Sequence, residues 1–281
     1  MNRPPPDVGI AAVILTLNEA AVLPRCLAAI PAAMPVVIVD SGSTDETLAI
    51  ARARGCHILQ RVWSGFADQR NFALEQLADP IDWVVFIDAD EVFPDAIWSW
   101  TRENLTPGQA AQVIYLSQRI HIGGAMLRYA PHYPIFHPRI VRRSPGLFLS
   151  NQSGHGETVR DDLSVAYVDI PYDHHIIEDR LDPWLKKHVD LAQIEARRGQ
   201  ASVGGVKTRR ARLNAVMPVG PLRALARFIF HYGLIGGWRD GRAGFVYCAL
   251  YGWYELTKWV SALRVGPAAP DQRPPGKGST P

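Results

Sequence analysis

Four short apolar runs alternate with helix-like segments over the first hundred residues, and this alternation restricts the chain to a few folds. The runs contain many β-branched residues and have the length of buried strands. Strands that alternate with helices form βαβ units, in which the strands pair in parallel. The sequence therefore predicts an α/β fold with a mostly parallel sheet. The runs are IAAVILTL at 10–17, VVIVD at 36–40, CHILQRV at 56–62 and DWVVFIDAD at 82–90.

Three intervening segments predict the helices of these units. In the second of them Ser43 or Thr44 is suited to cap the helix, Asp45 and Glu46 fall in its first turn, and Gly55 is suited to end it. The other two segments are AAVLPRCLAAI at 20–30 and FADQRNFALEQLA at 66–78.

Polar side chains stand where three of the predicted strands end. Asn18 and Glu19 follow the first strand, Asp40 closes the second, and Asp88 and Asp90 end the fourth. The carboxyl ends of parallel strands share one edge of a sheet, and ligands of open α/β sheets bind in the crevice at that edge. The sequence therefore predicts a binding site there.

The pattern is less regular beyond residue 100. The run at 111–124 predicts a strand with a hairpin partner, and the stretch at 131–159, rich in Pro, Gly, His and aromatic residues, predicts short strands at most. Helical spacing resumes at 182–198, and two apolar helices joined by GGWRDGRAG are expected over 222–263. We therefore divide the chain into a regular α/β half (1–100), a less regular region (101–180), a basic helical extension (181–266) and a disordered tail (267–281).

Charge is distributed unevenly along the chain. The segment 196–239 contains nine Lys or Arg residues and no acidic one, which leaves 21 basic against 27 acidic residues elsewhere. Three scattered cysteines favour neither a disulfide framework nor a zinc site. With no leader-like apolar stretch at the N-terminus and no charge-free run of about 20 residues, we expect a cytoplasmic chain without a membrane span.

The pair Asp88 and Asp90 is the most informative feature. Residues two apart on a strand point to the same side, and two carboxylates on one side suit Mg²⁺ or Mn²⁺ held jointly with substrate phosphates. The alternative is a solvated acidic turn that caps the next helix.

The segment after Asp40 is the second candidate. Its Asp-Ser-Gly-Ser sequence would allow a ligand to approach the backbone closely, with the carboxylate free to accept hydrogen bonds from a base or ribose. A strand–helix turn with a capping serine is the competing interpretation. Neither candidate matches the glycine-rich patterns of dehydrogenases or P-loop NTPases, which argues against those classes.

Four segments of the chain, taken in their order, resemble the motifs of a known family. VILTLNEAAVLPRCLAAI, VVIVDSGSTDETLAIARARG, FADQRNFAL and DWVVFIDADEVF are similar in sequence and spacing to the family 2 glycosyltransferases of the GT-A fold. They are most similar to the subgroup that adds sugars to lipopolysaccharide core and related bacterial glycans. The similarity is strong over 9–100 and continues more weakly through HYPIFHPRIVRR, GHGE and GWRDGRAGF.

The resemblance implies a role for each matching residue. It implies that 1–100 is the nucleotide-sugar-binding half of the domain and that 101–180 is the acceptor-binding and catalytic-base region. It also implies nucleotide contacts near the first two strands, sugar-diphosphate contacts from the third helix, and a metal held by Asp88 and Asp90. For Arg70 the alternative is an exposed helix residue. The implied nucleotide-binding residues are Thr16, Asn18, Glu19, Asp40, Asp45, Gln69, Arg70, Asn71, Asp88 and Ala89.

The implied reaction is a single displacement on a nucleotide sugar, UDP-glucose or a similar donor, with inversion. Related enzymes carry an acidic base after the metal motif, often in a His-Glu pair. Here His155 and Glu157 match with a glycine between them, so Glu157 is the expected base and Asp161 and Asp162 are its rivals. Arg139 and Arg142, with Arg143 beside them, are candidate clamps for phosphate or acceptor, or else an exposed basic strand edge.

The basic, aromatic C-terminal helices suit a membrane interface. The expected partners are thus a nucleotide sugar, a glycolipid or oligosaccharide acceptor and the inner leaflet of the membrane, with no nucleic acid. Ordinary packing on the catalytic domain is the alternative for these helices. For the whole chain, a nucleotidyltransferase and a non-catalytic nucleotide-sugar-binding membrane scaffold are the competing functions.

Overall fold

A nine-stranded sheet forms the core of the protein in the computed structural model, which describes residues 8–149, 158–178, 181–198 and 220–263. Its strand order is β3-β2-β1-β4-β8-β6-β9-β5, with β7 paired to β6. The strands are β1 Gly9–Thr16, β2 Val36–Asp40, β3 His57–Gln60, β4 Ile81–Asp88, β5 Glu91–Val92, β6 Val113–Ile122, β7 Ala125–Leu127, β8 Ile135–Arg142 and β9 Val165–Ile177. The helices are α1 Leu23–Ala28, α2 Thr47–Ala53, α3 Phe66–Gln76, α4 Asp95–Asn104, α5 Asp182–Arg198, α6 Pro221–Ile229 and α7 Gly241–Ala262.

The first half of the sheet is parallel, as the sequence predicts. β1 pairs in parallel with both β2 and β4, and β2 pairs in parallel with β3. In the register, Thr16 lies opposite Asp40, and Leu15 lies opposite Asp88. The polar strand ends therefore meet at one edge of the sheet.

The second half of the sheet is mixed rather than parallel. β8 is antiparallel to β4 and β6, and β5 is antiparallel to β9, whereas β9 is parallel to β6. The α/β fold class is confirmed, but the predicted short strands at 131–159 understate β8, and β9 is not predicted at all. The pairing of β9 with β6 shifts register between Leu116 and Gln118 of β6, opposite residues 169–171 of β9. Pro171 lies in this bulge and interrupts the strand pattern in the sequence.

Two apolar layers cover the sheet, one on each face. On β1 the alternation sends Ile14 to one layer and Val13 to the other. The first layer is closed by α1 and α4, with Trp98 fully buried, and the second by α3. The site edge is thus built on strands that are fixed from both sides.

The start of α2 differs from the expected cap. The helix begins at Thr47, and neither Ser43 nor Thr44 caps it through a side chain. Ser43 instead bonds to Asp40, and the Asp45 carboxylate accepts the Thr47 N–H at 3.0 Å. The polar side chains that the pattern assigns to a cap are used to shape the loop at the site.

The C-terminal helices α6 and α7 pack against each other around a buried ion cluster. Glu255 of α7 lies 3.1 Å from the Arg223 guanidinium, 3.7 Å from that of Arg227 and 3.2 Å from the Lys258 ammonium. Glu255 and Arg227 are both buried. Among the described residues, no helix combines the length and the apolarity that a bilayer span requires.

Removing the charge of Glu255 should destabilise the fold. Glu255→Gln leaves Arg227 buried with reduced compensation, so we expect a loss of about 3 kcal/mol in the free energy of unfolding. Chemical denaturation measures this, with Glu103→Gln on the exposed side of α4 as the matched control. Equal stabilities of the two variants would contradict the packing described for α6 and α7.

Candidate active site

Asp40 is buried at the end of β2 and organises the loop that follows it. One carboxylate oxygen accepts hydrogen bonds from the Thr16 hydroxyl at 2.9 Å and from the Ser43 hydroxyl, and the other accepts the N–H groups of Gly42 and Ser43, each at 2.9 Å. Burial acts to raise the pKa of Asp40, but these hydrogen bonds outweigh it and hold the pKa below its ordinary value. In this structure the Asp40 carboxylate therefore fixes the conformation of the loop after β2.

The loops after β1 and β2 are locked to each other. Asn18 adopts a left-handed backbone conformation, with φ of 58°, which Asn tolerates better than most residues. Its side-chain oxygen accepts the Thr44 N–H at 2.8 Å, and its own N–H donates to the Ser43 hydroxyl at 2.9 Å. Asp45 accepts the Ala20 N–H at 3.1 Å. Four of the predicted nucleotide-binding residues, Thr16, Asn18, Asp40 and Asp45, thus belong to one rigid pair of loops.

Two of the three predicted residues on α3 have structural partners of their own. Gln69 is fully buried and donates to the Ser41 hydroxyl at 3.0 Å, which ties α3 to the loop after β2. Asn71 exchanges two hydrogen bonds with the backbone of Phe148, at 2.8 and 2.9 Å. Asn71 therefore fixes the chain just before residues 150–157.

Asp88 stands between two buried arginines. The Arg70 guanidinium lies 3.4 Å from one carboxylate oxygen and the Arg139 guanidinium lies 3.3 Å from the other. The side chains of both arginines are only 2% exposed, whereas that of Asp88 is 28% exposed. Arg70 is thus not an exposed helix residue. The arginines offset part of the repulsion between the clustered carboxylates and leave one side of Asp88 open.

Arg139 lies beneath the acidic edge rather than on a surface where a phosphate could reach it. It forms an ion pair with Glu91 at 2.5 Å and donates to the Tyr172 hydroxyl at 3.1 Å. Glu91 in turn accepts the backbone N–H of Asp88 at 3.0 Å. The structure therefore gives Arg139 a positioning role instead of the expected clamp on phosphate or acceptor.

Arg142 lies at the far end of the sheet. It pairs in register with Trp83, five residues before Asp88 on β4, which corresponds to about 17 Å. Its guanidinium donates to the Pro107 carbonyl and covers the Trp83 ring. This position does not fit a clamp on a ligand held at Asp88, and the reason is the antiparallel course of β8.

His174 on β9 is a site residue that the sequence did not reveal. Its Nε2 lies 3.3 Å from the Asp90 carboxylate and its Nδ1 lies 3.2 Å from the side-chain oxygen of Gln118. Burial opposes a charged imidazole, but Asp90 outweighs it and raises the pKa of His174 to about 9. The histidine doublet near the end of the unpredicted β9 was the available signal.

Glu19 and Lys187 complete the charged surroundings of the edge. Burial raises the pKa of Glu19 to about 7, and the nearby Asp90 and Asp88 add to the rise while Lys187 opposes it. Lys187 on α5 is exposed to solvent. Desolvation by the surrounding protein acts to lower the pKa of its ammonium, but the carboxylates of Asp90 and Glu19 outweigh it, so the net shift is upward. Its positive charge, felt by Asp90 and Glu19, is a second feature of the surroundings that the sequence did not reveal.

The expected catalytic pair, His155 and Glu157, lies outside the described residues. Of the rivals, Asp162 is exposed and paired with Arg160 at 3.1 Å, and Asp161 is exposed. Ala89 is buried in the apolar layer, between the two aspartates.

The donor set at the edge fits a divalent cation shared with a ligand. No group of three or more His, Cys, Asp or Glu side chains in the described part of the chain is arranged to hold a metal alone. Asp88 and Asp90 nevertheless present partly exposed carboxylates, with side chains 28% and 23% exposed, and His174 adjoins Asp90. Two hard oxygen donors that leave room for phosphate oxygens match the preference of Mg²⁺ and Mn²⁺.

The sequence model described as glycosyl transferase family 2 matches residues 11–155. The chain belongs to glycosyl transferase family 2. It is therefore a glycosyltransferase, and its α/β sheet followed by C-terminal helices has the GT-A architecture expected of the family.

Curated relatives carry similar descriptions. The chain is 28% identical over 248 residues to "Lipopolysaccharide core biosynthesis glycosyltransferase LpsC" of Rhizobium meliloti, a match that covers 86% of this chain and 87% of that protein. It is 40% identical over 83 residues to an uncharacterized glycosyltransferase of Rickettsia felis, which covers 29% of each chain.

Solved structures resemble the chain more distantly. Glucosyl-3-phosphoglycerate synthase from Mycobacterium tuberculosis, in complex with phosphoglyceric acid, aligns with a TM-score of 0.48 and 22% identity over 70% of this chain and 82% of that one. S. aureus TarS 1-349 aligns with a TM-score of 0.40 and 13% identity over 90% and 88% of the two chains.

A matched pair of substitutions distinguishes the buried, supporting role of Arg139 from the peripheral position of Arg142. Arg139→Gln leaves Glu91 buried without its cation, so we expect a loss of about 3–5 kcal/mol in the free energy of unfolding without any ligand. Arg142→Gln, which loses a partly exposed contact, should cost less than about 1 kcal/mol. Urea denaturation of both variants measures the difference, and similar small losses would mean that Arg139 does not support the edge.

Proposed function

We propose that this glycosyltransferase moves a sugar from a nucleotide sugar to a hydroxyl of a lipid-linked or lipopolysaccharide-core glycan, by metal-dependent single displacement with inversion. The observation that carries the proposal is the open acidic edge formed by Asp88 and Asp90, next to the interlocked loops after β1 and β2. A nucleoside diphosphate suits this geometry because the loops offer a rigid wall for the nucleoside and the edge a place for its phosphates.

Asp88 and Asp90 are the proposed ligands of Mg²⁺ or Mn²⁺. When bound, the cation supplies charge neutralisation for the leaving diphosphate. The chain's own contribution is to hold the carboxylates in place before the ligand arrives: Arg70 and Arg139 fix Asp88, while His174 fixes Asp90. Such preorganisation avoids rearrangement during the reaction.

The acceptor hydroxyl attacks the anomeric carbon from the face opposite the diphosphate, and positive charge develops on the sugar ring. A carboxylate within hydrogen-bond reach must take the hydroxyl proton. We propose Glu157 for this role, with Asp161 and Asp162 as rivals. Within the described residues, the double hydrogen bond of Asn71 ties the backbone of Phe148 to α3.

The envelope glycan acceptor is proposed from the relative described as a lipopolysaccharide core biosynthesis enzyme, which aligns with most of the chain. Such an acceptor is made at the inner membrane, so we further propose that the enzyme works at the cytoplasmic leaflet. UDP-glucose is the first donor to test.

Removing one carboxylate of the edge should abolish transfer without unfolding the protein. Asp90→Asn should lower manganese-dependent release of UDP from UDP-glucose, with membrane glycolipid present, by at least about 100-fold. The control is Asp82→Asn, which changes an exposed carboxylate at the other end of β4.

The assay should be run over a panel of nucleotide sugars, with thermal melting to check that both variants fold. Full activity of Asp90→Asn, or equal losses in both variants, would refute the proposed role of the acidic edge.

A further inference from the structure

The helix α6 turns its apolar side away from the protein. Leu222, Leu225 and Ile229 are 63%, 56% and 53% exposed. Their spacing of three and then four residues places them on one face of the helix, which we call the α6 apolar face. An amphipathic helix on a water-exposed surface normally buries such a face against the core.

The opposite side of α6 carries its charges and faces inward. Arg223 and Arg227 meet Glu255 of α7 at 3.1 and 3.7 Å. On the same side the two helices approach closely, because a Cβ at Gly252 would lie 3.1 Å from the Ala224 carbonyl oxygen. The polarity of α6 is therefore inverted, with cations inside and hydrocarbon outside.

Two aromatic side chains that follow α6 in the chain are also exposed. Phe245 of α7 is 50% exposed, and its ring lies 5.8 Å from that of Phe228. Trp238 is 56% exposed, with the Arg239 guanidinium 5.4 Å from its ring. Aromatic rings beside arginines are typical of side chains at a membrane–water interface.

In the described C-terminal stretch, the acidic side chains are engaged in contacts within the protein and the exposed charged side chains are positive. Between Gly220 and Leu263 the acidic residues are Asp240 and Glu255. Asp240 accepts three backbone N–H groups of residues 128–130, at 2.8–3.0 Å, and Glu255 is buried among its cations. The exposed charged residues of this described stretch are Arg239 and Arg242. The surface around the exposed aromatic residues is thus positive, which is complementary to anionic lipid headgroups.

We propose that the α6 apolar face docks the enzyme on an anionic membrane, with α6 lying in the plane of the headgroup region and Arg239 and Arg242 against lipid phosphates. The inference deepens the proposed function and rests on it for its purpose, which is to bring the site to a lipid-linked acceptor.

A second copy of the chain is a poorer occupant. The α6 apolar face runs along a helix of nine residues, about 14 Å long. A stable dimer buries about 800 Å² on each partner, far more than one short helix face provides. Shallow insertion into a membrane needs only a narrow apolar strip with positive charge nearby.

Vesicle binding tests the proposal directly. The full chain, without any sugar nucleotide, is sedimented with vesicles of phosphatidylglycerol and phosphatidylcholine. The triple variant Leu222→Ser, Leu225→Ser, Ile229→Ser should lower the partition coefficient at least about tenfold. Because these side chains are exposed, its melting temperature in solution should stay that of the wild type.

Matched controls separate apolar insertion from charge. Val62→Ser with Val165→Ser removes exposed apolar side chains elsewhere, 86% and 43% exposed, and should bind as the wild type does. Arg242→Gln should weaken binding about fivefold on phosphatidylglycerol vesicles and leave binding to pure phosphatidylcholine unchanged. If the triple variant melts early, Leu225→Ser alone should still weaken binding about threefold or more.

Three results would overturn the proposal: no binding of the wild type to anionic vesicles, equal binding of the wild type and the triple variant, or a solution dimer that the triple variant dissociates. Since the assay contains no donor sugar, none of these results bears on the glycosyl-transfer chemistry. Conversely, a chain that binds vesicles but releases no UDP would leave the docking surface intact and refute the proposed reaction.

Discussion

The pairing of Asp88 with two buried arginines is the interaction on which the site depends. Carboxylates crowded at one strand end repel each other, and burial in protein strengthens that repulsion. Arg70 from α3 and Arg139 from β8 approach Asp88 from different sides, and both are almost fully buried. The edge is therefore stable without a ligand, yet one side of Asp88 remains open to a cation and its phosphates.

This constraint explains why the two halves of the sheet form one unit. The parallel half supplies the polar strand ends, but the groups that hold them come from the mixed half. β8 inserts beside β4 and brings Arg139 under Asp88, and β9 brings His174 to Asp90. In the C-terminal helices the arginines of α6 face Glu255 of α7, and the leucines of α6 are exposed.

The sequence predicts the first half of the fold and the position of the site because both follow from local patterns. β-branched runs such as 36–40 end where the strand ends. Asp88 and Asp90 mark the carboxyl end of the fourth strand, and hence the edge of the sheet at which the site lies. It does not predict β9, whose run is interrupted by Pro171, nor the buried role of Arg139. Long-range pairing decides both features, and an arginine on a strand looks the same in sequence whether it clamps a phosphate or supports a carboxylate.

The central claim is that a divalent cation binds at Asp88 and Asp90 together with the diphosphate of a nucleotide. Crystals grown with MnCl₂ and UDP, measured at the manganese absorption edge, test it most directly. The account predicts an anomalous peak in contact with both carboxylates and with the phosphate oxygens of UDP. A peak elsewhere, or UDP bound at the edge with no manganese beside Asp88 and Asp90, would contradict it.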